Sequence, residues 1–346
     1  MTTAPGRSLN INTHVQVGLS LIMSPTLPQI KSSNAAHLTS YAMPISKNGS
    51  STPVAVFIGG TSGVGEGMAR AFAKYTKGNA SIIIVGRNRE AGERILSELE
   101  KSTEDKITRL FVQCDVSLMR NVVATAQQLT SVLSKINYLV ISTGFLDIAD
   151  RTETKEGLEY RLSITYYSRW LFLRELAPLL DVAINKNGER AVAMSILATG
   201  YADEIDPEDW ELKKNYSTLK TMYCASTYND LMVESFAERY PSIPFIHAHP
   251  GMVRTPIFRR SPSVMVKIAG LIIFTLARPF TISAAESADW MWWTLLEVEE
   301  KSGSFRMDQH GKELGKDEKY YGGEEKKKGL FDHTESAVSR SLCAQI

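Results

Sequence analysis

The chain has 346 residues, of which 43% are hydrophobic and 22% charged, with a formal net charge of +1. That balance belongs to a globular chain with room for one large α/β domain or two small ones, and it excludes a general electrostatic attraction to nucleic acid. Cys114, Cys224 and Cys343 are far apart and odd in number, which excludes a disulfide framework and points to a reducing, cytoplasmic setting.

Residues 1–52 contain no Asp or Glu, and their only Lys or Arg residues are Arg7, Lys31 and Lys47. A transit peptide would carry more arginine. The segment therefore reads as a partly flexible N-terminal arm, with 27–42 as a short helix covering the sheet.

Val54–Ile58 is a short apolar run, followed by Gly59, Gly60, Gly63, Gly65 and Gly67 and by Val64, Met68, Phe72 and Tyr75 at helical spacing. Strand, glycine turn and helix in immediate succession bring a helix N-terminus, with its unpaired N–H groups, against a ligand phosphate. A second apolar strand, Ser81–Val85, ends in Gly86-Arg87-Asn88-Arg89. In a doubly wound fold that strand end lies beside the adenosine ribose, where an acid selects NAD. Arg87 offers a planar fork suited to a 2′-phosphate instead, which favours NADP(H) over NAD(H).

Leu110–Cys114 is a third strand, ending in Asp115-Val116, and Tyr138–Ser142 a fourth, ending in Thr143-Gly144. Glu156 to Leu180 reads as a long helix broken near Pro178, and Ala191–Ile196 as the fifth strand. A helix from about Lys220 to Tyr240 precedes a sixth strand, Pro244–Ala248. His247 and His249 alternate in that strand, so they point to opposite faces and no metal site is expected.

Residues 256–281 are apolar and basic, with Arg259, Arg260, Lys267 and Arg278 and no acid. They suit a flap over a site, and 264–280 suits weak contact with anionic lipid. No apolar run reaches the roughly 18 residues of a membrane span. Ala284 to Glu299 carries Trp290, Trp292 and Trp293 as packing residues, and Ser302–Met307 is a last strand. From Asp308 the chain reads as a charged, mobile tail. The fold expected is a single-domain, doubly wound Rossmann α/β sheet over 53–307, mostly parallel, in the order 3-2-1-4-5-6-7, with a dinucleotide across the carboxyl ends of the strands.

Gly59, Gly63 and Gly65, with Pro250-Gly251 followed by Thr255, resemble the fingerprints T-G-x-x-x-G-x-G and P-G-x-x-x-T of the short-chain dehydrogenase/reductase family. The resemblance runs from about Val54 to Thr255, although Ile58 replaces the usual Thr and only Gly144 survives of N-N-A-G. It implies that the three glycines hold a pyrophosphate, Asp115 the adenine and Thr255 the nicotinamide. It also implies a tyrosine acid, a lysine four residues later and a serine orienter. Tyr223-Cys224-Ala225-Ser226-Thr227 looks like Y-x-A-S-K with Thr227 for the lysine, Ser195 lies one place before the serine position, and Thr165 stands for the active-site Asn. Tyr216 and Lys220 form a competing literal Y-x-x-x-K, but the neighbours of Tyr223 favour Tyr223.

Phrases such as ITYYSRWLF resemble a fungal subgroup of the family, often found in secondary metabolism, with an incomplete Tyr/Lys pair. The resemblance implies an oxidoreductase for a ketone or secondary alcohol of a small, largely apolar metabolite, often as a dimer or tetramer. A second reading is a cofactor-binding sensor or scaffold with little catalysis. The two part on whether Lys220 or Arg254 reaches Tyr223.

Overall fold

A computed structural model describes residues 25–42, 52–102, 107–145, 147–214, 216–255, 263–276 and 278–344. Most of the expected arm, and residues 256–262 and 277 of the expected flap, lie outside them.

The strands are β1 (Val54–Ile58), β2 (Ser81–Gly86), β3 (Arg109–Gln113), β4 (Tyr138–Ile141), β5 (Val192–Ile196), β6 (Pro244–Ala248), β7 (Val253–Arg254), β8 (Ile282–Ser283) and β9 (Gly303–Met307). Seven of them form one sheet in the order β3-β2-β1-β4-β5-β6-β9. Every pairing in it is parallel, where the sequence predicts a mostly parallel sheet, and β7 pairs separately with β8. The helices are α1 (Leu27–Ala42), α2 (Gly63–Tyr75), α3 (Arg89–Glu98), α4 (Met119–Val132), α5 (Tyr160–Leu162), α6 (Ser168–Asp181), α7 (Thr218–Arg239), α8 (Val264–Leu276), α9 (Ala284–Val298) and α10 (Glu324–Cys343).

Alternation along each strand divides the core in two. Val54, Val56 and Ile58 face the layer of α4, α6 and α7, whereas Ala55 and Phe57 face α2 and α9. In that second layer Trp292 stacks on Phe72 at 4.9 Å and meets Tyr138 edge-on at 5.2 Å. Its indole N–H reaches the Met68 carbonyl at 3.0 Å. Trp292 is thus a packing residue, and truncating such a ring in a core costs about 3–5 kcal/mol.

Three features differ from the sequence reading. Helix α1 covers α2 and α9 rather than the sheet, through Asn34 donating to the Asp289 carbonyl and Thr39 to that of Tyr75. The helix after Glu156 contains a π-helical segment, Ser163–Tyr167, before α6, and a second one, Val182–Lys186, follows Pro178. The expected mobile tail contains α10, whose Leu330, Thr334, Ala337, Val338 and Ser341 are buried. Spacings of three and four put them on one face of the helix.

Candidate active site

Gly59 adopts φ 91°, a backbone region that side chains rarely occupy, and a Cβ there would lie 2.8 Å from the Thr143 nitrogen. A Cβ on Gly65 would lie 2.4 Å from Ser142 Oγ and 2.7 Å from the Gly59 carbonyl oxygen. The turn from β1 into α2 is therefore pressed against the residues just after β4. Gly63 opens α2, and a Cβ on it would lie 3.1 Å from Thr255 Cγ2. Gly59, Gly63, Gly65 and Thr255 thus meet at one place, at the carboxyl ends of the central strands. The Ser62 side chain does not cap α2, so the first-turn N–H groups suit a pyrophosphate.

Arg87, just after β2, shares a pocket of about 480 Å³ with Gln113, Asp115, Asn121, Thr125 and Gln128. Gln113 donates to the Arg87 carbonyl at 3.1 Å. The exposed Arg87 guanidinium has no ion pair among the described residues, whereas Arg89 pairs with Glu93 at 2.9 Å. Asn88 caps α3 through the Ala91 N–H. Asp115 accepts from the Ser117 N–H and hydroxyl through Oδ1, which shapes the turn into α4 beside the pocket.

Tyr223 lies near the start of α7 and is 38% exposed. No hydrogen bond or ion pair engages its hydroxyl among the described residues. Thr227 is fully buried and turned away, donating to the Asp203 carbonyl at 2.6 Å and accepting from its N–H at 3.2 Å. It pins the loop after β5 and supplies no charge to Tyr223. Arg254 is held by the Thr281 carbonyl at 2.5 Å and hydroxyl at 2.8 Å, and Lys220 forms no ion pair among the described residues. Lys220 acts on Cys224, whose thiol burial pushes up to about 11 against the pull of that cation. Tyr216 accepts from Arg161 Nη1 at 2.5 Å and donates to Glu159 at 3.2 Å. The cation beside Tyr216 is thus Arg161 rather than Lys220.

Ser195 is only 2% exposed. Its hydroxyl accepts from Arg169 Nη1 at 2.6 Å and donates to Asn229 Oδ1 at 2.7 Å. Both bonding roles are filled, so the expected orienter of a substrate oxygen forms part of the wall behind the site. Asn229 continues to the carbonyls of Thr165 at 2.9 Å and Ala225 at 2.7 Å. Thr165, standing for the active-site Asn, returns its own hydroxyl to the Arg161 carbonyl at 2.8 Å.

A model of the short chain dehydrogenase family matches residues 53–201. Oxidoreductase AN1596 of Emericella nidulans is 34% identical over 236 residues, which cover 68% of this chain and 69% of that protein. The chain belongs to the short-chain dehydrogenase family. Oxidoreductase andH of Emericella variicolor is also 34% identical, covering 77% of this chain and 73% of that one. The crystal structure of NADPH-bound carbonyl reductase from chicken fatty liver shares the fold, with TM-score 0.55 at 17% identity over 76% of this chain and 98% of that one.

As a short-chain dehydrogenase the chain is an oxidoreductase, but Thr227 stands four residues after Tyr223, where the resemblance implies a lysine. Sequence reasoning passed over Arg169 and Asn229. Arg169 directly precedes the apolar run Trp170, Leu171, Phe172 and Leu173, and a charge buried with such a run needs partners. That was the one available signal. Asn229 had none.

Proposed function

We propose that this oxidoreductase uses NADP(H) to interconvert a ketone and a secondary alcohol on a small, largely apolar metabolite, in secondary-metabolite biosynthesis in the cytoplasm. The observation that carries the cofactor reading is Arg87, a guanidinium without an acidic partner at the end of β2, where an NAD enzyme keeps an acid. Gly59, Gly63 and Gly65 would hold the pyrophosphate, Asp115 the adenine and Thr255 the nicotinamide.

The cofactor, when bound, supplies a hydride to the carbonyl carbon. Tyr223 donates its phenolic proton to the carbonyl oxygen, and water at its exposed face restores that proton. Hydride at the carbon and proton at the oxygen would turn the ketone into the alcohol, the cofactor that gave the hydride being left oxidised. Ser195 acts behind the site rather than on the substrate. The apolar helix α8, with Lys267 and Arg278 exposed nearby, suits contact with anionic lipid, and a homo-oligomer fits the family's habit.

Calorimetric titration of NADPH and NADH into wild type and Arg87→Ala tests the cofactor reading. NADPH should bind the wild type more tightly, and Arg87→Ala should weaken NADPH about 10- to 100-fold, the scale of a lost charge-assisted contact. Equal weakening of NADH would overturn the role of Arg87. The second reading, binding with little catalysis, is favoured by the unengaged Tyr223 hydroxyl. NADPH oxidation with a panel of apolar ketones decides between the two, with Tyr223→Phe as control.

A further inference from the structure

Arg169 is fully buried, yet the partners of its guanidinium among the described residues are all neutral. Nη1 donates to the Ile141 carbonyl at 3.2 Å and to Ser195 Oγ, and Nη2 to the carbonyls of Ile196 at 3.0 Å and Thr143. Nε has no partner, and among the described residues no carboxylate pairs with the group. Burial lowers its pKa to about 9, so it still carries its charge at neutral pH. Burying an uncompensated charge is costly, and apolar residues of similar volume often pack as well at lower cost. A neutral amide could satisfy part of the same set of oxygens.

The position is specific. Ile141 ends β4 and Ile196 ends β5, while Thr143 adjoins Gly59 across 2.8 Å to the position a Cβ would take. In a doubly wound sheet one half of a dinucleotide lies over β1–β3 and the other beyond the switch point, over β4 and β5. Arg87 marks the adenosine half, so Arg169 lies under the nicotinamide half. The nicotinamide ring is cationic when oxidised and neutral when reduced. A fixed cation beneath it repels only the oxidised form.

We infer that Arg169 is a specificity-determining residue that makes this site load NADPH in preference to NADP⁺. The inference rests on the NADP(H) reading above. Ser195 and Asn229 tie Arg169, on α6, to α7. Its effect is on loading and release, since the same field also opposes loss of hydride from the bound cofactor. Charges within about 10 Å at an effective dielectric near 20 interact strongly enough for about a tenfold difference in affinity.

The test titrates NADPH, NADP⁺ and 2′,5′-ADP into wild type, Arg169→Gln and Arg169→Lys. Wild type should bind NADPH at least about tenfold more tightly than NADP⁺. Arg169→Gln should bring the two within about twofold while 2′,5′-ADP binding is unchanged, and Arg169→Lys should keep the preference. A purely structural role would weaken both cofactors alike and leave their ratio in place. An unchanged ratio in Arg169→Gln, or a wild-type ratio near one, overturns the inference. Should Arg169→Gln lose 2′,5′-ADP binding and so the fold, the wild-type ratio decides alone. Failure of wild type to bind NADPH at all would instead overturn the cofactor reading itself.

Discussion

The Tyr216 hydroxyl sits between Arg161 Nη1, at 2.5 Å, and Glu159 Oε1, at 3.2 Å. Arg161 and Glu159 are 4% and 1% exposed, so the phenol bridges two buried charges. Glu159 also accepts from the Leu162 N–H at 2.6 Å and so holds the start of α5. Tyr216 is thereby a structural tyrosine in a charged cluster, with its pKa raised first by burial. Tyr216→Phe should cost about 1–3 kcal/mol of stability, the penalty for leaving a buried polar partner unmade. Tyr223→Phe should leave stability within about 0.5 kcal/mol, as at an exposed position, and should abolish ketone reduction. Urea unfolding and NADPH oxidation on the two variants check both. The assignment fails if Tyr216→Phe is stable and inactive.

Gly65 makes a sharper test of the glycine turn than Gly63 does. A Cβ at Gly65 meets Ser142 Oγ at 2.4 Å and the Gly59 carbonyl oxygen at 2.7 Å, whereas at Gly63 the nearest atom is a methyl at 3.1 Å. Gly65→Ala should therefore push the turn away from β4 and lower NADPH affinity at least about tenfold. Adding Ser142→Gly removes one clash and leaves the backbone clash in place. The double variant should accordingly recover only part of the loss, measured by NADPH titration. Full recovery would mean that the backbone approach of Gly59 to Gly65 is not what positions the cofactor.

His333 on α10 carries a pH dependence. Its Nε2 lies 3.0 Å from the Tyr167 hydroxyl, and its ring stacks on Trp210 at 6.2 Å. Burial, helped by Arg340 and Lys213 against Glu211, lowers its pKa to about 4. A histidine depressed below its unfolded value binds fewer protons folded than unfolded, so stability rises with pH between the two values. Stability contributed by neutral His333 is therefore complete above about pH 6.5 and is lost as the pH falls toward 4. Allowing for its partial exposure, the loss should be about 1–2 kcal/mol. Urea midpoints at pH 7.5 and 5.0 should differ less in His333→Gln than in wild type. Equal differences would sink this account.

The glycine turn and Thr255 were legible because each lies in a local pattern: strand, glycines and helix in one case, P-G-x-x-x-T in the other. The seven-strand order came from strands alternating with helices. The hydrogen-bond partners of Ser195 were not legible, because Arg169 and Asn229 lie 26 and 34 positions away. No periodicity records such a meeting. Helix α10 was misread for a different reason. Glu324, Glu325, Lys326, Lys327 and Lys328 open it, and a charge run reads as solvated, although Lys327 is itself buried against Glu238 and Glu324. Truncation after residue 323 should thus behave as removal of a core element. It removes Leu330, Ala337 and Val338 and uncovers Phe236 and Trp170, which are buried with them in one cluster, at about 1.5–3 kcal/mol for the leucine alone. Thermal unfolding of the shortened chain should fall by at least about 5 °C. An unchanged midpoint would restore the reading of a charged, mobile tail.

Helix α8 presents the largest exposed apolar side chains of the described residues in one run. Val264, Met265 and Leu271 are 67%, 72% and 71% exposed, and Phe280 beyond the helix is 80% exposed. Lys267 and Arg278 are the charges of the described part of this segment, and no acid lies between Thr255 and Ala285. No described helix is long and apolar enough to cross a membrane. An apolar helix of this length, with Lys267 on it and Arg278 just beyond it, would gain by lying in the interface, its side chains among acyl chains and the two cations near anionic headgroups. The protein should float with vesicles containing about a third phosphatidylserine and much less with phosphatidylcholine alone. Leu271→Glu should abolish flotation in both, while Lys267→Glu should remove mainly the dependence on phosphatidylserine. If wild type stays with the pellet at either composition and instead runs as a dimer that Leu271→Glu dissociates, a second copy of the chain covers α8 and the lipid reading fails.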